Sequence, residues 1–204
     1  MEQVSMISQK EYDAFVKAYE EAMSIIIVKL EALNEDFRRR FSDYPIHNIQ
    51  KRIKQKDSIE KKLKRKKKEI SLYAAANELT DIAGVRVICY FEQDVYSVVQ
   101  LIKKQSDLIV VKETDYIQTP KNNGYKSYHL VVGVPIYHVD GMEYFPVEIQ
   151  MRTLGMDFWS SMEHRICYKP EKNMNEKNVE EFRIYAKIVE DMEKRMKNCL
   201  LDNG

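Results

Sequence analysis

The chain has 204 residues, 44% hydrophobic and 32% charged, with a formal net charge of +1. That length supports a single domain, 1–204, with a real core, and no apolar run approaches the ~20 residues of a membrane span. The N-terminus lacks a secretory pattern, and Cys89, Cys167 and Cys199 form no C-x-x-C pair, so reduced thiols in a cytoplasmic protein are expected.

Ser8 and Glu11 form a capping-box pattern. After it, Tyr12, Phe15, Val16, Tyr19, Met23, Ile26, Ile27, Leu30, Leu33, Phe37 and Phe41 recur at three- and four-residue spacing, which predicts a long amphipathic helix over 8–41. Pro45 marks its end or the turn after it. From Lys51 to Glu69, eleven Lys or Arg stand against Asp57, Glu60 and Glu69, a local charge of +8 that leaves about −7 for the rest of the chain. A basic block in a neutral protein points to a local anionic partner rather than general nucleic-acid coating. Asn48 to Lys56 reads as short and mixed. Ser58 is the expected N-cap of a helix over Ile59–Ile70, with Ile59, Leu63 and Ile70 inward. Arg52, Lys54, Ser58, Lys62 and Arg65 could converge on one polyphosphate, since Lys and Arg match its oxygens and Ser donates a hydrogen bond. A solvated lysine face or a nucleic-acid patch is the competing reading. No G-x-x-x-x-G-K-[ST] is present, so a P-loop is excluded.

Ile82 to Phe91 is apolar or aromatic apart from Gly84 and Arg86, which predicts a strand buried on both faces. A buried arginine needs a carboxylate or a cleft. Asp94 is the expected cap of a helix carrying Val95, Val98, Val99 and Ile102. Leu108 to Lys112 reads as a strand. The loop Asp115–Lys126 holds Pro120, Asn122, Asn123 and Gly124, so it is irregular. Its two tyrosines and two lysines suit a base with its phosphates, or make a plain surface loop with one packed tyrosine. Ser127–Val139 is strand-like, Asp140-Gly141 is a hairpin signal, and Tyr144–Arg152 returns antiparallel. Thr153–Tyr168 reads as a helix anchored by Trp159 and closed by Pro170. Asn175 is the expected cap of a last helix, 175–200, with Val179, Phe182, Tyr185, Val189, Met192 and Met196 inward. The fold class is α/β (α+β): a mixed sheet flanked by helices, with long terminal helices.

His47, His129, His138 and His164 show no zinc-ligand spacing, and no G-x-S-x-G elbow occurs. His129 is a structural histidine or a site residue by virtue of the adjoining loop. Asp81 and Glu148 offer two carboxylates of the kind Mg²⁺ takes when substrate phosphates complete its shell. Singly, each could instead be an ion-pair partner for Arg86 or Arg152. Together with the lysines they favour phosphoryl-type transfer, which needs mainly positioning and electrostatic stabilisation.

Several motifs occur in one order: Arg52-x-Lys54-x-x-x-Ser58-x-x-x-Lys62; Asp81-Ile82-Ala83-Gly84-Val85-Arg86; Tyr116-Ile117 with Pro120-Lys121-x-Asn123-Gly124-Tyr125-Lys126-Ser127-Tyr128-His129; and Val147-Glu148-Ile149-Gln150-Met151-Arg152-Thr153. Over residues 45–170, through Trp159, Glu163-His164 and Tyr168-Lys169, this set resembles the synthetase domain of the RelA/SpoT family. The short chain is similar to the stand-alone small alarmone synthetases of the RelQ type. The resemblance implies a nucleotidyltransferase-like fold and a pyrophosphokinase that moves the β,γ-pyrophosphate of ATP to the 3′-hydroxyl of GDP or GTP, releasing AMP. By position, Arg52 and Arg86 would sandwich the adenine, and Lys54, Ser58, Lys62 and Arg65 would hold the ATP phosphates. Asp81 and Glu148 would bind Mg²⁺, with Glu148 also activating the attacking hydroxyl. Tyr125 would stack on guanine, with Lys121, Asn123 and His129 near the acceptor. It further implies a homotetramer and, since no histidine is followed by aspartate, synthesis without hydrolysis. Three rival readings stay open: transfer to a tRNA 3′ end, transfer to an adenine nucleotide, and a non-enzymatic nucleotide- or RNA-binding module.

Overall fold

Capping and periodicity build the first helix as the sequence predicts. In the computed structural model, which describes residues 7–167 and 176–202, α1 spans Gln9–Phe41. Ser8 Oγ accepts the Glu11 N–H, and the Glu11 carboxylate accepts the Ser8 N–H. Its buried stripe is Tyr12, Val16, Tyr19, Ala22, Met23, Ile26 and Leu30. The stripe stops there: Phe37 and Phe41 meet as a tilted pair with centroids 4.7 Å apart, and Phe41 is exposed.

The basic segment after it folds differently from the expectation. Ile46–Ile53 is a strand, β1, antiparallel to β2 (Ala83–Cys89). It went unread because it is an edge strand with only Ile46 buried, so it carries no alternating apolar signal. Helix α2 begins earlier, at Lys56, and ends at Arg65. Its N-cap is Gln55, so Ser58 is an interior first-turn residue. Lys67 then takes a left-handed φ of 56° and breaks the helix. Ser71 caps a separate short helix, α3 (Leu72–Glu78), by accepting the Ala74 N–H at 3.1 Å.

Helix α4 runs Glu92–Lys103 with Phe91 at its cap position. Asp94 lies one turn inside and accepts the Phe91 N–H at 2.9 Å, so it serves the capping role from the third helical position. β3 (Ile109–Asp115) extends past the expected Lys112. β4 (Tyr128–His138) and β5 (Gly141–Thr153) form the expected antiparallel hairpin, closed at His138↔Gly141. Helix α5 follows directly at Leu154–Cys167, and α6 covers Glu176–Asp202. The expected residues Tyr168, Pro170 and Asn175 lie outside the described residues.

The sheet order is β1-β2-β5-β4-β3. β2 and β5 are parallel and every other pair is antiparallel, so the sheet is mixed. Side chains alternate along β2 and β5. Ala83, Val85, Val87, Val147, Ile149 and Met151 enter the core, where residues of α1 and α4 pack with them. Gly84, Arg86, Glu148, Gln150 and Arg152 stand on the opposite face. On α6 the inward stripe is Val179, Phe182, Ala186, Val189 and Glu193. Tyr185, Met192 and Met196, expected inward, are exposed because they share the outer side with Ile184, Ile188 and Leu200.

Candidate active site

The parallel pairing of β2 and β5 places Gly84 beside Glu148 and Arg86 beside Gln150. With Asp81 just ahead of β2, this concentrates charged groups on the face away from the core. A cleft of about 360 Å³ opens there, lined by Gln50, Arg52, Lys54, Asp81, Arg86, Glu148 and Gln150, with Gly84 at its floor. β1 supplies the wall that the sequence left unassigned.

Asp81 Oδ2 is held by two ammonium groups, Lys54 Nζ at 3.0 Å and Lys62 Nζ at 2.5 Å. Its other oxygen, Oδ1, is buried and has no hydrogen-bond partner among the described residues. Burial alone would raise this carboxyl, but the hydrogen bonds and charges of Lys62 and Lys54 outweigh it and hold the pKa below the ordinary value. Asp81 is therefore an ionised group with one oxygen left unpartnered by the described residues. Glu148 behaves alike. Burial opposes its charge, yet hydrogen bonds from His129 and Gln150 keep its pKa low despite repulsion from Asp81.

From Glu148 a hydrogen-bonded chain runs across the sheet. His129 Nδ1 lies 3.2 Å from Glu148 Oε1, and His129 Nε2 lies 2.9 Å from the Tyr125 hydroxyl. Arg152 Nη2 donates to that hydroxyl at 2.8 Å. An imidazole with its proton on Nδ1 satisfies all three contacts at once. Arg152 is only 4% exposed, and its guanidinium carbon stands 5.2 Å from the Tyr125 ring centre. Arg86 and Arg152 both pair with Asp157 on α5, at 3.4 and 3.3 Å. Burial first, and repulsion from Arg152 second, lower the Arg86 pKa.

The loop 115–126 carries Tyr125 into this hydrogen-bonded chain. Asp115 Oδ1 accepts the Ile117 and Gln118 N–H groups, which turns the chain. Lys121 Nζ sits 4.9 Å from the Tyr116 ring and 4.7 Å from the Tyr125 ring. Asn123 accepts the Tyr125 N–H and donates to Glu163.

Of the sequence-predicted residues, Arg52, Lys54, Asp81, Arg86 and Glu148 share the cleft. Lys62 joins through Asp81. Tyr125, Lys121, Asn123 and His129 cluster beside it. Ser58 stands one turn before Lys62 on α2 but does not line the cleft, and Arg65 is exposed on the last turn of that helix. The carboxylates do not pair with Arg86 and Arg152; Asp157 does. Sequence reasoning did not single out Asp157, Gln50, Gln150 and Tyr116 as site residues. Gln150 and Tyr116 lay inside quoted motifs, whereas nothing local marked Gln50 or Asp157. Among the described residues no three His, Cys, Asp or Glu converge as a metal site. A hard cation would suit the free Asp81 oxygen and Glu148, completing its shell from substrate oxygens.

The model for the region found in RelA / SpoT proteins matches residues 51–173. The chain belongs to the RelA/SpoT family. Among RelA/SpoT relatives, GTP pyrophosphokinase YwaC of Bacillus subtilis (strain 168) is 38% identical over 178 residues, covering 87% of this chain and 85% of its own. GTP pyrophosphokinase YjbM of the same organism is 36% identical over 84% of this chain and 80% of its own. The crystal structure of small alarmone synthetase 1 from Bacillus subtilis bound to its product pppGpp matches with a TM-score of 0.85 at 32% identity. It covers 95% of this chain and 98% of that one. The mixed sheet with flanking and terminal helices is thus the fold of this branch of the RelA/SpoT family.

Proposed function

We propose that the protein is a GTP pyrophosphokinase, transferring the β,γ-pyrophosphate of ATP to the 3′-hydroxyl of GDP or GTP and releasing AMP. The observation that carries this reading is the pair of ionised carboxylates, Asp81 held by two lysines and Glu148 linked through His129 to the tyrosine loop. The names of its relatives and the pppGpp-bound neighbour support the same chemistry.

Arg52 and Arg86 take the adenine, and Lys54 and Lys62 take the donor phosphates, with Ser58 and Arg65 reaching them from α2 outside the cleft lining. Tyr125 stacks on the guanine, with Lys121, Asn123 and His129 around the acceptor. Asp81 and Glu148 would hold Mg²⁺, which would neutralise phosphate charge when bound. The acceptor 3′-oxygen bonds to the β-phosphorus while the bridging oxygen leaves with AMP. Glu148, kept ionised by its neighbours, takes the hydroxyl proton. His129 holds Glu148 and Tyr125 in a single arrangement for that step.

The protein is read as cytoplasmic, in keeping with the lack of a membrane-crossing helix among the described residues. It is also read as a homotetramer. Leu154, Phe158, Met162 and Ile166 recur every four residues on α5, and Ile184, Ile188, Met192 and Met196 do so on α6; all eight are exposed. Light scattering behind size exclusion checks this; a monomer that stays monomeric at working concentration refutes it.

The activity is tested with β-labelled ATP, Mg²⁺ and, separately, GMP, GDP, GTP, ATP or deacylated tRNA. Label on a guanine nucleotide with AMP released is the expected result. Label on tRNA or adenine nucleotide, or on nothing, overturns the assignment.

A further inference from the structure

Helix α6 stands outside the cleft, yet it grips the Tyr125 loop on both sides of that residue. Just before Tyr125, Gly124 has a φ of +90°. A β-carbon there would lie 2.8 Å from Ala186 Cβ and 3.1 Å from Arg183 Cα. The loop backbone therefore rests on α6 where only glycine fits. Just after Tyr125, Lys126 Nζ lies 2.8 Å from Glu190 Oε2, with side chains 17% and 21% exposed. Trp159 closes the third side. Its ring meets Tyr125 at 6.4 Å, and its Nε1 donates to the Phe182 carbonyl at 2.8 Å. One turn further along α6, Glu193 accepts from Thr153 Oγ1 and the Gly155 N–H, which ties the same helix to the end of β5.

We propose that Glu190 is a positioning residue for the acceptor nucleotide, acting through Lys126 to hold the Tyr125 ring against His129 and Arg152. This rests on the reading of Tyr125 as the ring that receives guanine. Glu190 does not line the cleft. Its effect is to order the loop before the nucleotide arrives, so that binding does not bear that entropic cost. Burial opposes the Glu190 charge, but hydrogen bonds and charges from Lys126 and Lys194 hold its pKa down at about 2, so the carboxylate is ionised near neutral pH. Little exposure on either side keeps it from being screened as a surface pair would be.

The test is initial-rate kinetics of the full chain with GDP and ATP varied separately. Glu190→Gln is expected to raise the KM for GDP about tenfold while the KM for ATP stays within about twofold. Glu190→Asp is expected to recover part of the loss. Lys126→Gln breaks the same contact from the loop side and leaves α6 intact, so it reports even where Glu190→Gln folds poorly. It should match Glu190→Gln, and the double variant should add nothing. Tyr125→Ala is the control for the underlying reading. A GDP KM unmoved by Lys126→Gln and Glu190→Gln, but raised by Tyr125→Ala, overturns this inference alone. Equal rises in both KM values also overturn it, because they mark a general structural role. A GDP KM unmoved by Tyr125→Ala overturns the acceptor reading and this inference with it.

Discussion

Arg86 and Arg152 share a single carboxylate: Asp157 Oδ1 lies within 3.4 Å of the first and 3.3 Å of the second. Two guanidiniums on neighbouring strands would otherwise repel across the sheet. Asp157 therefore joins the proposed donor side, through Arg86, to the proposed acceptor side, through Arg152 and Tyr125. Asp157→Asn removes the shared charge and leaves the buried Arg152 with its hydrogen bond to the Tyr125 hydroxyl but without its carboxylate partner. We expect a stability loss of about 3 kcal/mol, the usual consequence of breaking a buried pair from one side. A denaturant melt measures it, and a change within error would show that the remaining hydrogen bonds suffice.

Asp81→Asn should reduce turnover by about a thousandfold, since it removes one proposed Mg²⁺ ligand. The same variant leaves Lys54 and Lys62 facing each other without their anion, so its melting temperature should fall as well. Chelating divalent cations from the unmodified protein should abolish turnover yet leave the melt unchanged, because Asp81 is already neutralised by its lysines. A chelated protein that melts early would point instead to a structural ion.

Asp81 and Glu148 both titrate below their ordinary values of 3.8 and 4.5. A carboxyl depressed in the fold contributes stability that is complete above its unfolded pKa and disappears as pH falls through its folded one. These two groups should thus leave stability flat above the ordinary carboxylate range and weaken it only below. His129→Ala removes a donor that opposes the burial of Glu148, so the Glu148 pKa should rise. The acid limb of the pH–rate profile should move up with it. An unmoved acid limb would mean that Glu148 does not set it.

Gly155, at the start of α5, leaves no room for a side chain. A β-carbon there would overlap Val189 and lie 2.7 Å from Glu193 Cδ. Gly155→Ala should cost about 1–3 kcal/mol by overpacking the contact of α5 with α6. Thermal unfolding reads this out, and a melt equal to wild type would show that α6 shifts at little cost.

The elements that sequence reasoning found are those whose pattern reports burial. α1 has a capping box and a regular stripe, and β2, β4 and β5 are apolar runs bounded by turns. β1 escaped because an edge strand needs no apolar face, and its charged residues resembled a loop. The break after Arg65 escaped because a lysine run has no periodicity; the left-handed Lys67 is a backbone fact. On α6, apolar residues occupy both sides, so spacing alone could not say which faced inward. The acids and bases of the site were visible as residues, but their partners were not. Lys54, Lys62 and His129 reach their carboxylates through tertiary register. Asp157 meets two arginines across a strand–helix junction, which no local spacing encodes.

The sole parallel pair among the described strands, β2 with β5, also sets when the cleft can exist. During synthesis β2 and its antiparallel partner β1 emerge long before β5, which begins at Gly141. Until then Asp81 has its lysines but not Glu148, and the hydrophobic edge of β2 is open. Long-range parallel pairing is slow to form and leaves such edges exposed to aggregation. A nascent chain halted before Gly141 would lack Glu148 and leave one edge of β2 unpaired, so the last strand inserted into the sheet completes both the cleft lining and the sheet.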